Sequence, residues 1–436
     1  MSDLALGFWS FPVLLLMIFL RAPIGLAMLL CGTIGLWLAT GSPAMFLNRL
    51  KTEGYTTFAS TSYSIIPMFL LMGQFAALSG MSGALFRAAE SWLGHRRGGV
   101  AMAAVGACAG FGAICGSSLA TAATMGKVAL PELRRAGYEG GFSQAVLAAG
   151  GTLGILIPPS VILVIYAILT EQNIALLFTA AIVPGILAAL GYMAAIALYA
   201  RRHPERAGTM PPAPMAERWA AMARVWPVVL VFALVVGGIW RGWFTPTEGA
   251  AVGAAGTGLI ALVSGRLTWR LLGEALVATA VSTAMIYFII LGAGIYNGFL
   301  ALSQVPQELA AWVGAQGLGP WVVLALILLF YLVFGCLMDS LSMILLTIPI
   351  FFPLVQSLDF GLTPDQTAIW FGILVLIVVE VGLITPPVGM NLFVINAMDR
   401  ATPMTRTYGA VLWFVGTDIA RVAILAAFPA ITLFLI

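Results

Sequence analysis

The sequence predicts an all-α polytopic membrane protein built from two copies of one unit, inserted in opposite directions. Three observations carry this expectation. First, 61% of the 436 residues are hydrophobic, 8% are charged and the mean hydropathy is +1.04, whereas about a quarter of the residues of a soluble domain are charged. Second, landmarks recur in the same order along the two halves. Phe111–Ser118 (FGAICGSS) meets Phe334–Leu341 (FGCLMDSL), Gly154–Val161 (GILIPPSV) meets Gly382–Gly389 (GLITPPVG), and Pro23 meets Pro246. Third, arginines flank a central apolar segment of the first half while acidic residues flank its counterpart in the second, the opposite flank charge that an inverted repeat requires.

Uncharged stretches such as Gly54 to Phe86, Gly140 to Thr170 and Ala275 to Gln307 exceed the roughly 20 residues that a spanning helix needs. They are solid Leu, Ala, Val and Ile runs without the alternation of a β-barrel strand. Along the first half, the opening stretch MSDLALGFWSFPVLLLMIFLRAP has neither a basic leader nor a small-residue cleavage site, so it reads as a retained first helix. A turn at Pro23, a second helix, an amphipathic connection, a third helix and a short polar arm complete a scaffold over residues 1–95.

A hairpin follows over 98–133. Arg96 and Arg97 precede it and Arg134 and Arg135 follow it, so both ends belong on one side. The 36 residues Gly98 to Leu133 are too few for two crossings of about 20 each. The chain is expected to enter, turn at Gly116-Ser117-Ser118 and return as a re-entrant element, with Lys127 close enough to the end of its limb to snorkel. A Pro-interrupted helix over 140–169 and a closing helix over 174–200 end the first repeat.

Residues 201–224 hold RRHPERAG, then PPAP, then the amphipathic Glu217-Arg218-Trp219 patch, and read as a cytoplasmic linker. The second repeat has scaffold helices over 225–316, a hairpin over 320–358, a broken helix over 364–397 and a closing helix over 405–436. Its hairpin carries no Lys or Arg and is flanked by Glu308, Asp359 and Asp365, which implies the opposite orientation. With the N-terminus outside, 16 of the 20 Lys and Arg fall in the cytoplasm; only Arg49, Lys51 and Arg241 lie outside, and Arg421 lies within the last helix. The two hairpin tips then approach each other from opposite faces, a transporter geometry.

The chemistry concentrates at those tips, GSSLATAAT at Gly116 to Thr124 and DSLSM at Asp339 to Met343. Backbone at a tip has no helical partner and is tolerated at membrane depth only where protein, a cavity or an ion supplies one. Each half also carries a Pro-Pro pair, Pro158-Pro159 and Pro386-Pro387, which removes N–H donors and frees the carbonyls of Gly154, Leu156, Gly382 and Ile384. Such carbonyls with Ser and Thr hydroxyls are hard oxygen ligands suited to Na+, and half-helix N-termini favour an anionic substrate. The bland reading makes the small residues packing devices and the prolines mere kinks; two pairs, each following a hairpin, favour a binding site.

Buried ionisable groups are functional candidates. Asp339 reads equally as an ion-coupling carboxylate or as a cap on the second limb of its hairpin. Glu380 stands one turn before the second break and would orient the freed backbone, Asn391 would brace it from beyond, and Asp418 with Arg421 would form an internal ion pair. Trp240, Trp243 and Phe244 suit an interfacial belt.

Enzymatic readings find no support. Cys31, Cys108, Cys115 and Cys336 lie in apolar runs without CxxC spacing, and His95 and His203 sit beside arginines in polar loops, so neither a disulfide framework nor a zinc site is suggested. No paired catalytic Asp and no P-loop occurs, so energy must come from a gradient or a partner. The net charge of +3 sits in short loops where membrane orientation needs it, and nucleic-acid binding is not indicated.

At these residues the chain resembles the large membrane subunit of tripartite ATP-independent periplasmic (TRAP) transporters, the DctM type. GSSLATAAT…LPEL…GY, GILIPPS, DS…P…P and GLITPPVGMNLFV carry the resemblance, which runs over essentially the whole chain. It implies an elevator-type transporter, with a scaffold and a moving body built from the hairpins and broken helices. It also implies Na+ coupling, a periplasmic substrate-binding protein and a small four-helix membrane subunit. Neither before Met1 nor at the linker is there such a four-helix unit, so a separate subunit is expected.

Carried over by motif position, the resemblance implies one sodium site at Ser117, Ser118 and Thr121 with backbone from Gly154 through Ile157 to Pro158. A second would use Ser340, Ser342 and Thr385 with backbone from Gly382 to Pro386. The substrate carboxylate would lie near Ser117, Ser118, Asp339, Ser340 and Asn391. The family moves C4-dicarboxylates, sialic acids and other organic acids. The expectation is therefore sodium-coupled uptake of an organic acid across a bacterial inner membrane, with no organic cofactor. The competing readings are a receptor-independent Na+- or H+-coupled anion carrier of the same architecture, and a membrane scaffold or intramembrane enzyme.

Overall fold

A computed structural model describes residues 2–436, and every regular element in them is helical. Six helices are long and apolar enough to cross a membrane: Thr61–Ser79, Ile174–Arg202, Met215–Trp240, Trp269–Leu302, Pro364–Gly382 and Met404–Ala427. The pair Gly140–Leu156 and Val161–Leu169, bent by 45° at its break, adds a seventh. Shorter apolar helices are Asp3–Phe19, Ile24–Thr40, Gly99–Cys115, Pro320–Gly335 and Ser340–Gln356. The chain is a multi-pass membrane protein.

Local sequence explains the boundaries. Side chains of Ser117, Ser160, Asn173, Thr268 and Asp339 accept hydrogen bonds from the first turns of the helices they open, meeting backbone donors that no helix satisfies internally. Thr245 with Glu248 and Thr363 with Gln366 form complete capping boxes. The segment after Arg202 is partly ordered as helix. Met215–Ala223 is helical and runs on through Trp226–Phe232 and a π-helical stretch, Ala233–Gly237, to Trp240, so the amphipathic patch at Glu217 is the entry of a span.

Two bodies can be distinguished by what they pack against. In the scaffold, Ile24–Thr40 lies along Trp269–Leu302, and Pro246–Val263 lies along Ile65–Ser79. Small residues make the first of these close: a Cβ on Gly32 would stand 2.8 Å from the backbone of Tyr296, the contact that substitutes for a hydrophobic driving force between helices in lipid. Outward faces of these helices carry Trp269, Val277, Val281 and Met285, all exposed, as lipid contact allows.

The second body contains the hairpins and broken helices. Every residue from Gly141 to Leu156 and from Thr367 to Gly382 is buried; helices apolar all round belong in the centre of a protein. Gly99–Cys115 and Ser118–Arg135 pack on Gly140–Leu156, and Pro320–Gly335 and Ser340–Gln356 pack on Pro364–Gly382. The short limbs beyond the breaks cross over. Val161–Leu169 packs on Ser340–Gln356, and Met390–Met398 packs on Ser118–Arg135 and Gly140–Leu156. Each half thus completes the packing of the other, which ties the two central helices into one unit.

Candidate functional site

At the first tip the chain turns through Gly116, whose φ of +64° is a left-handed conformation that glycine adopts without steric penalty. Ser117 then caps Ser118–Arg135 by accepting from the Ala120 N–H at 3.4 Å. The tip presses on the break of its own half. A Cβ on Gly112 would lie 2.5 Å from the Gly154 Cα, and one on Gly154 would lie 2.4 Å from the Thr121 Oγ1 and 2.8 Å from the Ser117 carbonyl oxygen. Thr121 is fully buried and its hydroxyl has no hydrogen-bond partner.

The first break is abrupt. Helix Gly140–Leu156 stops at Ile157, which is extended (φ −95°, ψ 121°). Pro158 has no N–H to offer the Gly154 carbonyl, and Ser160 opens the next limb by accepting from Leu163 at 3.3 Å. An orphaned hydroxyl, the Ser117 carbonyl and the Gly154 backbone therefore converge in a dry place. That set of hard oxygens fits a cation such as Na+, and buried polar atoms without partners are the exceptions that call for one.

The second tip repeats the plan with different fittings. Gly335 and Gly382 stand back to back; a Cβ on Gly382 would meet the Gly335 carbonyl carbon at 2.5 Å. Asp339 is an N-cap, and its carboxylate accepts from the Ser342 N–H at 3.1 Å and from the Ser342 hydroxyl at 2.5 Å. The helix before the second break unwinds gradually. Thr385 N–H donates to the Gly382 carbonyl at 3.0 Å, Ile384 N–H to Val381, and Thr385 Oγ1 also to the Val381 carbonyl, at 2.7 Å. The Gly382 carbonyl thus keeps one hydrogen-bond partner, unlike its counterpart Gly154. Both Pro158-Pro159 and Pro386-Pro387 are cis.

Two side chains stand where the halves meet. Glu380, buried on the last turn of Pro364–Gly382, accepts the Ser340 hydroxyl at 2.6 Å, and Ser118 of the opposite tip lies beside the same carboxyl group. The Ser118 contact falls short of hydrogen-bond geometry, and the Glu380 Oε2 has no partner. Asn391 donates from Nδ2 to the Ala148 carbonyl at 3.2 Å, leaving its buried Oδ1 unpaired. The fold therefore gathers Ser117, Ser118, Thr121 and Gly154 at one tip and Asp339, Ser340, Ser342, Gly382 and Thr385 at the other. Ile157, Pro158 and Pro386 form the breaks, and Asn391 and Glu380 stand between.

Two further polar assemblies surround this centre. Asp418 and Arg421 form a buried ion pair at 2.8 Å, and the Tyr192 hydroxyl donates to Asp418 at 2.6 Å while lying 3.0 Å from the Thr152 hydroxyl. Beneath the first hairpin, Gln144 donates to the Asp399 carbonyl at 2.8 Å and accepts from Thr407 at 2.7 Å and Asn396 at 3.1 Å, and Arg134 pairs with Asp399. This second assembly goes unnoticed in the sequence because its members are scattered; the one signal is Gln144, the only long polar side chain in Gly140–Leu156.

Among the described residues no three His, Cys, Asp or Glu side chains converge, and all four cysteines are free and buried. A cavity of about 630 Å³ opens between the scaffold and Val161–Leu169, bordered by Glu53, Thr57, Tyr63, Gln172 and Asn297. The tips themselves are closed over, with Ser118, Ser340 and Ser342 buried.

Comparison with known proteins places these features. The description "Tripartite ATP-independent periplasmic transporter, DctM component" matches residues 11–431. The chain is similar to the C4-dicarboxylate TRAP transporter large permease protein DctM of Pseudomonas aeruginosa, 38% identical over 385 residues, covering 88% of this chain and 86% of that one. It is similar to the sialic acid TRAP transporter large permease protein SiaM of Vibrio cholerae, 29% identical over 96% of each chain. A crystal structure described as the YdaH transporter of Alcanivorax borkumensis, with an unusual topology, shares the fold. Its TM-score is 0.56 at 15% identity, over 87% of this chain and 88% of that one.

Proposed function

Since the chain belongs to the DctM component family of tripartite ATP-independent periplasmic transporters, we propose that this large permease drives uptake of an organic acid anion by coupling it to Na+ entry. The carrying observation is that both hairpin tips meet a helix break of their own half and face each other across Glu380 and Asn391. Relatives whose names print C4-dicarboxylate and sialic acid point to a carboxylate-bearing solute. A periplasmic binding protein would deliver it, a separate small membrane subunit would brace the scaffold, and the complex would sit in a bacterial inner membrane.

Ser117, Ser118 and Thr121 with the Gly154, Ile157 and Pro158 backbone would hold one Na+, and Ser340, Ser342 and Thr385 with the Gly382 and Pro386 backbone a second. The ion supplies positive charge beside oxygens that otherwise stay unpaired at membrane depth. The chain's own part is to exclude water, aim its carbonyl and hydroxyl oxygens inward, and set the helix N-terminus that Ser117 opens where an anion is favoured. Crossed limbs make the hairpins and broken helices one body, which supports transport by sliding that body against the scaffold, an elevator motion.

The test is uptake into proteoliposomes with the binding protein and the small subunit supplied. Ser117→Ala and Thr385→Ala are expected to lower Na+-driven uptake by about tenfold or more, as lost ligands to a buried charge do. Full activity in both variants removes these side chains from the mechanism, and uptake without a binding protein selects the receptor-independent carrier.

A further inference from the structure

The second tip has three hydroxyls, and each has already given away its proton. Ser340 donates to the Glu380 Oε1 at 2.6 Å, Ser342 to the Asp339 Oδ1, and Thr385 to the Val381 carbonyl. A hydroxyl has one proton and two lone pairs. Once the proton is committed, the oxygen can only accept, so it can bind a cation and cannot donate to an anion. Two of the three acceptors are local: Asp339 caps its own helix and Val381 lies one turn before Thr385 on the same segment. Glu380 is different, since it reaches from the broken helix to the hairpin across 40 residues of sequence.

Glu380 is also 1% exposed, with an Oε2 that has no partner and Ser118 of the other tip beside the same carboxyl group. A buried carboxylate is expensive to keep, and one with a spare acceptor position is a functional feature before it is a packing one. Ser340 has no other acceptor for its proton among its hydrogen bonds. Without Glu380 its hydroxyl is free to rotate and to present its proton to the space between the tips.

We infer that Glu380 is a positioning residue that fixes the polarity of the Ser340 hydroxyl, making the second tip a cation site that repels the substrate's carboxylate. This rests on the sodium reading of the tips given above. The anion is then received by Ser117, whose hydroxyl proton is uncommitted, and Asp339 and Ser340 serve the cation alone. Glu380 touches neither solute; it acts through Ser340.

The experiment uses the permease purified with its small subunit. Thermal unfolding is followed against Na+, with choline making up the ionic strength, and uptake KM for the organic acid is measured at saturating Na+. Wild type is expected to gain stability with Na+. Glu380→Leu fills similar space and removes the acceptor. It should raise half-saturating Na+ by about tenfold, the effect of losing one strong hydrogen bond beside a ligand, with KM for the acid at saturating Na+ unchanged. Glu380→Asp, which keeps the carboxyl group on a shorter stem, should raise it by a smaller factor, and it carries the test if Glu380→Leu does not fold.

A wild-type Na+ response in the leucine variant, or in the Asp variant where that is the one that folds, overturns the inference and leaves the sodium reading standing. A rise in KM for the acid with an unchanged Na+ response overturns it too, by placing Glu380 with the substrate. A wild type indifferent to Na+ sinks the sodium reading and this inference together.

Discussion

At Gly154 and Gly382 nothing larger than hydrogen fits between a hairpin tip and a helix break. A Cβ would stand 2.4 Å from the Thr121 hydroxyl in the first case and 2.5 Å from the Gly335 backbone in the second. Since a packed interior yields only by moving backbone, Gly382→Ala should lower stability by about 1–3 kcal/mol, whereas Gly416→Ala, with open space around it inside Met404–Ala427, should leave stability unchanged or raise it by up to about 1 kcal/mol. Thermal unfolding in detergent checks both; equal midpoints would refute the close approach. Gly154→Ala has a softer neighbour in the Thr121 side chain, so its expected effect is on Na+ response more than on folding. Of these residues the sequence exposes the glycines and hydroxyls by their repeat. It cannot show that the Thr121 hydroxyl is unpaired or that Glu380 reaches Ser340, because both depend on which atoms fold brings within 3 Å.

Asp339 and the two breaks show how far an element can be read from its residues. Either a cap or an ion-coupling carboxylate fits Asp339 by position; the structure shows its carboxylate capping Ser340–Gln356. The GxxxPP spacing marks both breaks, yet only the first stops sharply at an extended residue, while the second winds down over Leu383 to Gly389 before Met390. Beneath the first hairpin, Gln144 ties Gly140–Leu156 to Thr407, Asn396 and Asp399. Gln144→Leu would leave several buried polar partners unsatisfied and should lower stability by about 2–4 kcal/mol. Hydrogen exchange should then show earlier opening of Met390–Met398 than of Trp269–Leu302; unchanged protection of the short limb would refute a role in holding it.

For the molecule as a transporter, the crossed limbs carry the most consequence. With Val161–Leu169 seated on the second hairpin and Met390–Met398 on the first, the hairpins and broken helices should travel together. Gly126 lies against Met398, so a cross-link between Gly126→Cys and Met398→Cys should leave uptake within about twofold of the reduced protein, as expected where no relative motion occurs. Strong, reversible inhibition on oxidation would show that the first hairpin moves alone. Labelling of single cysteines tests the orientation of the halves: Arg97→Cys should react from the cytoplasm and Gln316→Cys from the outside. Reaction of both from one side would contradict an inverted arrangement and with it the charge argument.

Composition, uncharged run lengths and flanking basic residues sufficed to specify a helical multi-pass protein, because the bilayer tests every segment locally for apolarity and charge. Repetition of the tip and Pro-Pro landmarks was equally legible, since proline removes a donor wherever it stands. Which half completes which, and where each hydroxyl proton goes, came only with the folded chain. Those outcomes join residues as far apart as Gln144 and Thr407 or Ser340 and Glu380. No local pattern encodes such a meeting, because packing of whole helices sets the last ångström between the partners.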